Sequence, residues 1–450
     1  MRTAAVILAA GQSTRMRSKI PKVLHPLLGR PLISYSLEST YQATGAKPVL
    51  VIGHGAEQVR QIVGDAAQYV VQEPQLGTGH AVQQTEQILR DNADIVLVTY
   101  ADMPLIKSTT FQQMVALQQE NAGPISMMTV HADDPRGFGR VIRAGGGRIT
   151  AVVEEADATV EQLSVRELNV GVYCFQAVWL WEALKRVPLS SKGEYYLTDL
   201  VKIAVDEDLA VKSYTPEDPI EAIGINTRVH LAEVGALMKA EINQRWMLSG
   251  VTIVDPATTF IDHGIEIGQD TVIWPNTYIK GNSKIGEGSV IGPDAYIEHT
   301  SIGDHCKVWY AVLEGAQLED DVELGPFGHL RSGAHLAQGV HMGNFGEVKN
   351  SYLGPGTKMG HFSYIGDTKT GADVNIGAGT ITCNYDGERK HPTEIGAGAF
   401  IGSDTMLVAP VKVGEGARTG AGAVVTRDVP ENTLAVGSPA RSIKRLQKSE

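Results

Sequence analysis

Residues 8–22 read Leu8-Ala9-Ala10-Gly11-Gln12-Ser13-Thr14-Arg15-Met16, then Arg17, Lys19 and Pro21-Lys22, directly after a short apolar run. A flexible turn at the end of a buried strand lets backbone N–H groups approach phosphate oxygens, and cations beside it neutralise them. The run is neither a Walker A loop nor a GxGxxG. By spacing alone, phosphate binding and an ordinary basic surface loop both account for it. Asp102, in Tyr100-Ala101-Asp102-Met103-Pro104, follows the apolar run 95–99, and open α/β sheets place ligands at such carboxyl ends. A plain turn aspartate is the competing reading. His361 lies in Met359-Gly360-His361-Phe362-Ser363-Tyr364. An imidazole that titrates near neutral pH can take a proton from an amine nucleophile, but spacing alone does not set His361 apart from a surface or packing histidine.

The elements that must position these residues fall into two patterns. Over residues 1–226, apolar runs at 4–8, 49–52, 69–71, 95–99 and 125–130 alternate with helical patterns at 32–42, 56–63, 78–90 and 109–120. That order predicts βαβ units and a mostly parallel sheet. Gly145-Gly146-Gly147 between the runs 140–143 and 149–153 predicts an antiparallel excursion from it. Residues 227–249 carry Leu231, Val234, Met238, Ile242 and Trp246 at spacings of three or four, closed by Gly250, as one amphipathic connecting helix would.

From Ile261 the period becomes six. Isoleucine occupies 261, 267, 273, 279, 285, 291 and 297, and small residues stand four places later at Thr271, Thr277, Ser283, Ser289, Ala295 and Ser301. Neither a helix nor a flat strand pair has this period. A hexapeptide repeat does: each six residues form one side of a triangular coil, and stacked coils bury the aliphatic column. The column continues from Leu318 to Ile365 and resumes at Ile395, which predicts about eight or nine coils stacked as parallel strands ~4.8 Å apart. Glycines directly after the aliphatic residue, as at Gly286, Gly292 and Gly402, are expected to turn the corners. Residues 383–393 interrupt the repeat as a long polar loop, and loops that break a solenoid often carry function.

Composition narrows the partners. The 450 residues hold 39 Lys+Arg against 51 Asp+Glu, and the net −12 repels nucleic acid and anionic membrane, so a phosphate site must be local. Of 49 glycines, 19 fall in residues 1–250 and 30 in the last 200, which separates two architectures. Three cysteines, Cys174, Cys306 and Cys383, have no metal-ligand spacing and fit a reducing cytoplasm. No stretch reaches the ~18 apolar residues of a membrane span. The apolar start of the chain is short and followed by Arg15, Arg17 and Lys19, so it reads as a first strand rather than a signal peptide.

The first loop resembles that of the sugar-1-phosphate nucleotidyltransferases, L-A-A-G-x-G-T-R-[ML] with P-K downstream, Ser13 standing where that family has its second glycine. Gln75-Leu-Gly-Thr-Gly-His-Ala81, Tyr100-Ala-Asp-Met-Pro-Leu105, Gly137-Phe-Gly-Arg140, Gly193-Glu-Tyr-Tyr-Leu-Thr-Asp199 and Gly224-Ile-Asn226 extend the match. Together with the hexapeptide half and Asn375-Ile-Gly-Ala-Gly-Thr-Ile-Thr-Cys-Asn-Tyr-Asp-Gly387, the chain resembles the bacterial bifunctional N-acetylglucosamine-1-phosphate uridylyltransferases and glucosamine-1-phosphate acetyltransferases, to about residue 440.

This resemblance implies an α/β Rossmann-like nucleotidyltransferase domain over 1–226, a linker helix over 227–250, and a left-handed parallel β-helix bearing the N-acetyltransferase over 251–450. It implies UTP and acetyl-CoA as co-substrates, Mg2+ held by Asp102 and Asn226, and a homotrimer with acetyl-CoA sites between neighbouring prisms. Leu8, Ala9, Ala10, Gly11, Gln72, Gly77 and Thr78 would hold uracil and ribose, Arg15 and Lys22 the phosphates, and Tyr100, Ala101, Gly139, Glu154 and Asn169 the sugar. Ala101 stands where the family has glycine. In the second half His361 falls on the catalytic base, with Glu347 a candidate to orient it or else part of a solvated face. Arg331, Lys349, Tyr364 and Asn375 fall on the sugar-phosphate contacts, and Ala378, Asn384, Tyr385, Ser403 and Ala421 on those to acetyl-CoA. Ser438 stands where the family has an arginine for the CoA phosphate, with Arg441 as its substitute. Two other readings remain at this point, a single-activity nucleotidyltransferase with a structural prism and a non-catalytic assembly scaffold. Arg15, Lys22, Asp102 and Asn226 argue against the scaffold, and His361 with Asn384-Tyr385 against the single activity.

Overall fold

A computed structural model describes residues 1–12 and 14–445 of the chain, so Ser13 lies outside the described residues. The chain divides into two compact units, Met1–Ala236 and Leu237–Glu450. In the first, strands β1 (Thr3–Ala9), β2 (Val49–Ile52), β3 (Gln68–Val71) and β4 (Ile95–Tyr100) pair in parallel in the order β3-β2-β1-β4. Alternate residues of β1 face opposite sides, as a period of two requires. Val6 and Leu8 pack with helices α3 (Thr78–Gln83), α5 (Ala177–Leu184) and α6 (Asp199–Asp206). Ala5 packs with α4 (Ser108–Gln119), and Ile7 and Ala9 with α1 (Ile33–Thr44) and α2 (Ala56–Val63). Helices thus cover both faces, and the strands read as continuous apolar runs.

The sheet extends beyond β4 through strands β5 (Ile125–His131), β6 (Gly139–Arg143), β7 (Ile149–Val153), β8 (Glu167–Gln176) and β9 (Val211–Tyr214). The hairpin expected at residues 145–147 joins β6 to β7. Strand β8 runs antiparallel between β4 and β5 and also pairs β6. Its register with β5 shifts between Asn169 and Tyr173, where Gly171 has φ +84°. A bulge of this kind re-aims side chains beside a site.

Helix α7 (Arg228–Leu248) contains the division between the units. Its first half holds to unit one through an Arg136–Glu233 ion pair of 2.6 Å. In its second half Lys239 Nζ sits 4.4 Å from the Phe260 ring centroid, and Asn243 Nδ2 donates to the carbonyls of Pro256 and Thr259 at 3.0 and 3.1 Å.

The second unit is a coil of short parallel strands stacked into three faces. The first face begins at Thr252–Ile253 and ends in a hairpin of Thr433–Gly437 with Ala440–Arg445. The second runs from Phe260–Ile261 to Val424–Val425, and the third from Glu266–Ile267 to Val411–Val413. Ile261, Ile279 and Ile297 are register neighbours one full coil apart. The second and third faces hold 10 and 9 strands, so nine full coils form, within the eight or nine expected. The repeat runs on through Thr370, Ile376 and Thr382, all buried, and threonine in two of three slots hid it from an aliphatic pattern. Thr382 Oγ1 stays satisfied indoors by accepting from Gly366 N at 2.7 Å. The small-residue column also departs once. Ser301 is exposed and Thr300 takes the buried place, because the coil shortens from six to five between Ile297 and Ile302.

Of the glycines after the aliphatic residues, Gly292 turns its corner as expected, with φ +88°, but Gly286 and Gly402 have a different cause. At Gly286 and Gly402 φ is not positive, but an added Cβ would lie 2.5 Å from the Gly303 carbonyl carbon and 2.6 Å from the Thr419 oxygen of the next coil. Close stacking demands glycine there. The left-handed corner positions are filled largely by other glycines and by Asp and Asn, such as Asp270, Asn276, Asp294 and Asp404.

Candidate functional site

The turns after β1 and β4 emerge side by side, because these strands pair in parallel with Leu8 opposite Tyr100. The chain order reverses across this pair, which is where such sheets bind ligands. A cavity of about 690 Å³ opens there, lined by Leu8, Ala9, Ala10, Gly11, Arg15, Lys22, Gln72, Gly77, Thr78, Tyr100 and Asp102. Arg17 and Lys19 are exposed and outside it. The wall at residues 75–79 is zipped to a segment more than a hundred residues away: Gly79 N donates to Tyr195 O, Tyr195 N to Leu76 O (both 2.8 Å), and Leu197 N to Thr78 Oγ1 at 3.0 Å. Gly77 has φ +93°, and a Cβ there would meet the Tyr195 oxygen at 2.7 Å. Glu194 and Gln75 join the lining. They belong to motifs visible in the sequence, but only the fold brings those motifs together.

At the mouth, Lys22 Nζ is ion-paired with Asp102 Oδ2 and donates to Asn226 Oδ1 at 3.2 Å. Arg15 donates to the same amide oxygen at 3.0 Å. One carboxylate and one amide oxygen therefore converge on a cation, which is the donor set a magnesium ion takes when phosphate and water complete its shell. No group of three or more His, Cys, Asp or Glu residues poised for a metal occurs among the described residues.

A second cavity of about 290 Å³ shares Thr78, Tyr100, Asp102 and Glu194 with the first, and adds Gly139, Glu154, Asn169, Asn226, Gly171, Tyr173 and Thr198. Burial raises the Glu154 carboxyl above its ordinary value, and a hydrogen bond of 3.0 Å from the Thr198 hydroxyl partly counters this. Burial also raises the Tyr100 phenol, with Glu154 and Asp102 adding to the shift. His80 shifts the other way, lowered by burial against the smaller effect of the Pro74 carbonyl. Gly171 leaves room for the Tyr100 ring, since a Cβ there would stand 2.6 Å from its Cε2. Ala101 departs from expectation. It is fully buried among Ile7, Leu50 and Ile33 and lines neither cavity, because one residue past the end of β4, its N–H bonded to the Leu8 carbonyl at 3.1 Å, its methyl lies in the core. Gly171 and Tyr173 escaped the sequence reading, since β8 does not read as a strand, whereas Thr198, just before α6, belongs to the 193–199 motif already matched.

In the second unit the candidate residues gather around the second face. His361 sits at the corner between Lys358–Met359 of the first face and Ser363–Gly366 of the second. It is exposed and makes no hydrogen bond or ion pair among the described residues. Ala378, Ser403 and Ala421 follow at the same corner in successive coils. Gly379 N donates to Phe362 O at 2.7 Å, Asp404 N to Ala378 O at 2.6 Å, and Gly422 N to Ser403 O at 2.8 Å. The turn holding Ser438 continues this column, because Thr419 pairs with Ala435. Arg441 is exposed on the returning strand, and among the described residues its guanidinium donates to the Ala440 carbonyl, at 3.3 Å. Asn375 lies on the first face, in register with Lys358 and Phe400.

The other edge of the second face is cationic. Arg331 and Lys349 stand there with Lys390 of the inserted loop, and the Lys390 ammonium, with the Arg331 guanidinium, holds the Lys349 pKa below its ordinary value. Three cations so close call for an anion between them. Lys390 was not legible from spacing. Glu347, expected either to orient His361 or to belong to a solvated face, accepts from Arg331 at 2.9 Å. Tyr364 is its register neighbour in the middle of the face, and Asn384 Nδ2 donates to Asp367 Oδ2 at 2.5 Å. A Cβ on Gly366 would meet both the Tyr364 hydroxyl and Asn384 Nδ2, at 2.5 and 2.6 Å, so these two groups converge over it. Tyr385 is exposed, its hydroxyl donating to the Gly387 carbonyl at 2.6 Å.

A Rossmann-like sheet with a cationic, acid-containing cleft, followed by a left-handed parallel β-helix, defines a two-unit transferase. Residues 5–190 match the MobA-like NTP transferase domain, and residues 264–299 and 392–427 match the bacterial transferase hexapeptide (six repeats). A bifunctional protein GlmU of Heliobacterium modesticaldum is 44% identical over 98% of this chain and 96% of its own length. Those of Pelotomaculum thermopropionicum and Shouchella clausii are 47% and 42% identical over 92% and 96% of this chain, and over 90% and 95% of theirs. The chain belongs to the bifunctional GlmU family.

Proposed function

We propose that the chain makes UDP-N-acetylglucosamine in two steps, acetylating glucosamine 1-phosphate with acetyl-CoA in residues 251–450 and transferring uridylate from UTP in residues 1–226, with helix 227–250 joining them. The observation that carries this reading is the pair of anion-ready clusters. Arg15, Lys22, Asp102 and Asn226 meet at one cavity mouth, and Arg331, Lys349 and Lys390 meet beside the second face. Membership in a family named for two functions supports it.

In the first unit the phosphate oxygen of N-acetylglucosamine 1-phosphate attacks the α-phosphorus of UTP, a new P–O bond forms, and the bond to pyrophosphate breaks. Negative charge gathers at phosphorus, so fixed cations supply the catalysis. Lys22 and Arg15 exchange their present partners for phosphate oxygens. Glu154, Asn169 and Tyr100 orient the sugar in the smaller cavity. Asp102 and Asn226 would hold Mg2+, which when bound neutralises phosphate charge.

In the second unit Arg331, Lys349 and Lys390 grip the sugar phosphate and direct its amine across the face toward His361. The imidazole takes the amine proton as nitrogen attacks the thioester carbonyl, and CoA leaves as the thiolate. Backbone at Ala378, Ser403 and Ala421 forms a groove along the corner for the CoA arm, with the 438 turn at its end. The homotrimer belongs to the same proposal. The corner bearing His361 also carries Tyr310, Phe327, Phe345 and Phe362, each at least 40% exposed, and apolar strips of this kind mark interfaces. A cytoplasmic setting goes with these substrates; no helix among the described residues is long and apolar enough to cross a membrane. Pyrophosphate and free thiol released from one purified sample test the reading. Absence of either product with its substrates present contradicts it.

A further inference from the structure

Gln72 is nearly buried in the wall of the larger cavity, 4% exposed. Its Nε2 lies 2.8 Å from the Gly77 carbonyl and 3.2 Å from Nδ1 of His80. A carbonyl oxygen can only accept, so the atom facing Gly77 must be the amide nitrogen, and this decides which way round the amide sits. An NH2 group has two hydrogens. With one on Gly77, the other is directed at His80 Nδ1, which must then be the unprotonated nitrogen of a neutral imidazole. Burial favours that neutral state. Both donors of Gln72 are thus used within the chain. Its Oε1 has no partner among the described residues and is not among the polar atoms sealed from solvent, so it is the hydrogen-bonding group this side chain offers the cavity.

The two contacts do different work. Gly77 determines which end is nitrogen, but a single hydrogen bond lets the amide pivot about it. The second contact fixes the plane, and with it the direction of Oε1. We propose that His80 is a positioning residue for nucleobase choice: by holding the second N–H of Gln72 it presents a fixed acceptor, which selects a base with an N–H at the matching edge. This rests on the reading of the first unit as a uridylyltransferase and specifies what tells one base from another. Uracil carries a hydrogen on N3, whereas cytosine has a lone pair there. Cytosine would set two acceptors face to face, losing the hydrogen bond and leaving both desolvated.

The experiment compares kcat/KM for UTP and CTP, with N-acetylglucosamine 1-phosphate and Mg2+, in the parent, His80→Phe and His80→Asn. The parent is expected to favour UTP. His80→Phe should lower the UTP/CTP ratio roughly tenfold, about the worth of one hydrogen bond, chiefly through KM for UTP. His80→Asn, whose Oδ1 can take the Gln72 N–H, should return the ratio to within about threefold of the parent. A merely structural histidine would not be rescued by a smaller polar side chain. A parent-like ratio in His80→Phe, or a ratio in His80→Asn as low as in His80→Phe, overturns the proposal. A parent that releases no pyrophosphate with any nucleoside triphosphate overturns the uridylyltransferase reading itself and the proposal with it.

Discussion

Asp102 holds the Lys22 ammonium beside the Asn226 amide, so Asp102→Ala removes the only carboxylate among the four residues at the cavity mouth. Uridylyl transfer is expected to fall by at least about 10²-fold, read as pyrophosphate release, with acetyl transfer unchanged. Glu154 ties a measurable stability effect to the same unit. Burial raises its folded-state pKa above the unfolded value, so between the two values the folded chain binds more protons and stability falls as pH rises. The loss is complete above the folded value. Glu154→Gln removes it while leaving an oxygen for the Thr198 hydroxyl. The variant should therefore melt above the parent at neutral pH and level with it below the ordinary carboxylate range, and KM for the sugar phosphate should rise. A parent advantage at neutral pH would refute the assignment.

At the scale of elements, what was legible depended on which periodicity an element shows. β1, β2 and β4 announce themselves as short apolar runs, and the isoleucine column announces the coil. β8 is buried along nearly its whole length and interrupted by Gly171, so it shows no alternation and reads as neither strand nor helix. Tyr173 and Gly171 went unseen with it, although Glu154, Asn169 and the 193–199 motif that carries Thr198 were reached by resemblance. Ala101 was placed at the sugar because resemblance tracks positions along the chain, whereas the packing just past the end of β4 decides which way a methyl points. Lys390 was missed because it is one cation in a polar loop, and only the fold of that loop brings it to Lys349. The bulge in β8 yields its own expectation. Gly171→Ala places a side chain at φ +84° and within 2.6 Å of the Tyr100 ring. It should cost about 1–3 kcal/mol of unit-one stability by thermal melting, with uridylyl transfer lowered and acetyl transfer kept.

At the scale of the whole molecule, the two candidate sites lie in separate units and share no residue. The proposed trimer would bury the apolar corner of the β-helix. Phe345, 60% exposed and stacked on Phe327 at 5.1 Å, should on change to Glu convert a trimer in light scattering to smaller species. Acetyl transfer should fall with the trimer while uridylyl transfer persists. The most direct test of the central claim uses the parent, Asp102→Ala and His361→Ala, each supplied with glucosamine 1-phosphate, acetyl-CoA, UTP and Mg2+, with thiol and pyrophosphate followed together. N-acetylglucosamine 1-phosphate is added in a parallel run. The parent should release both products, Asp102→Ala only thiol, and His361→Ala only pyrophosphate, and that only when the acetylated sugar is supplied. Loss of both activities in either folded variant would contradict two independent sites.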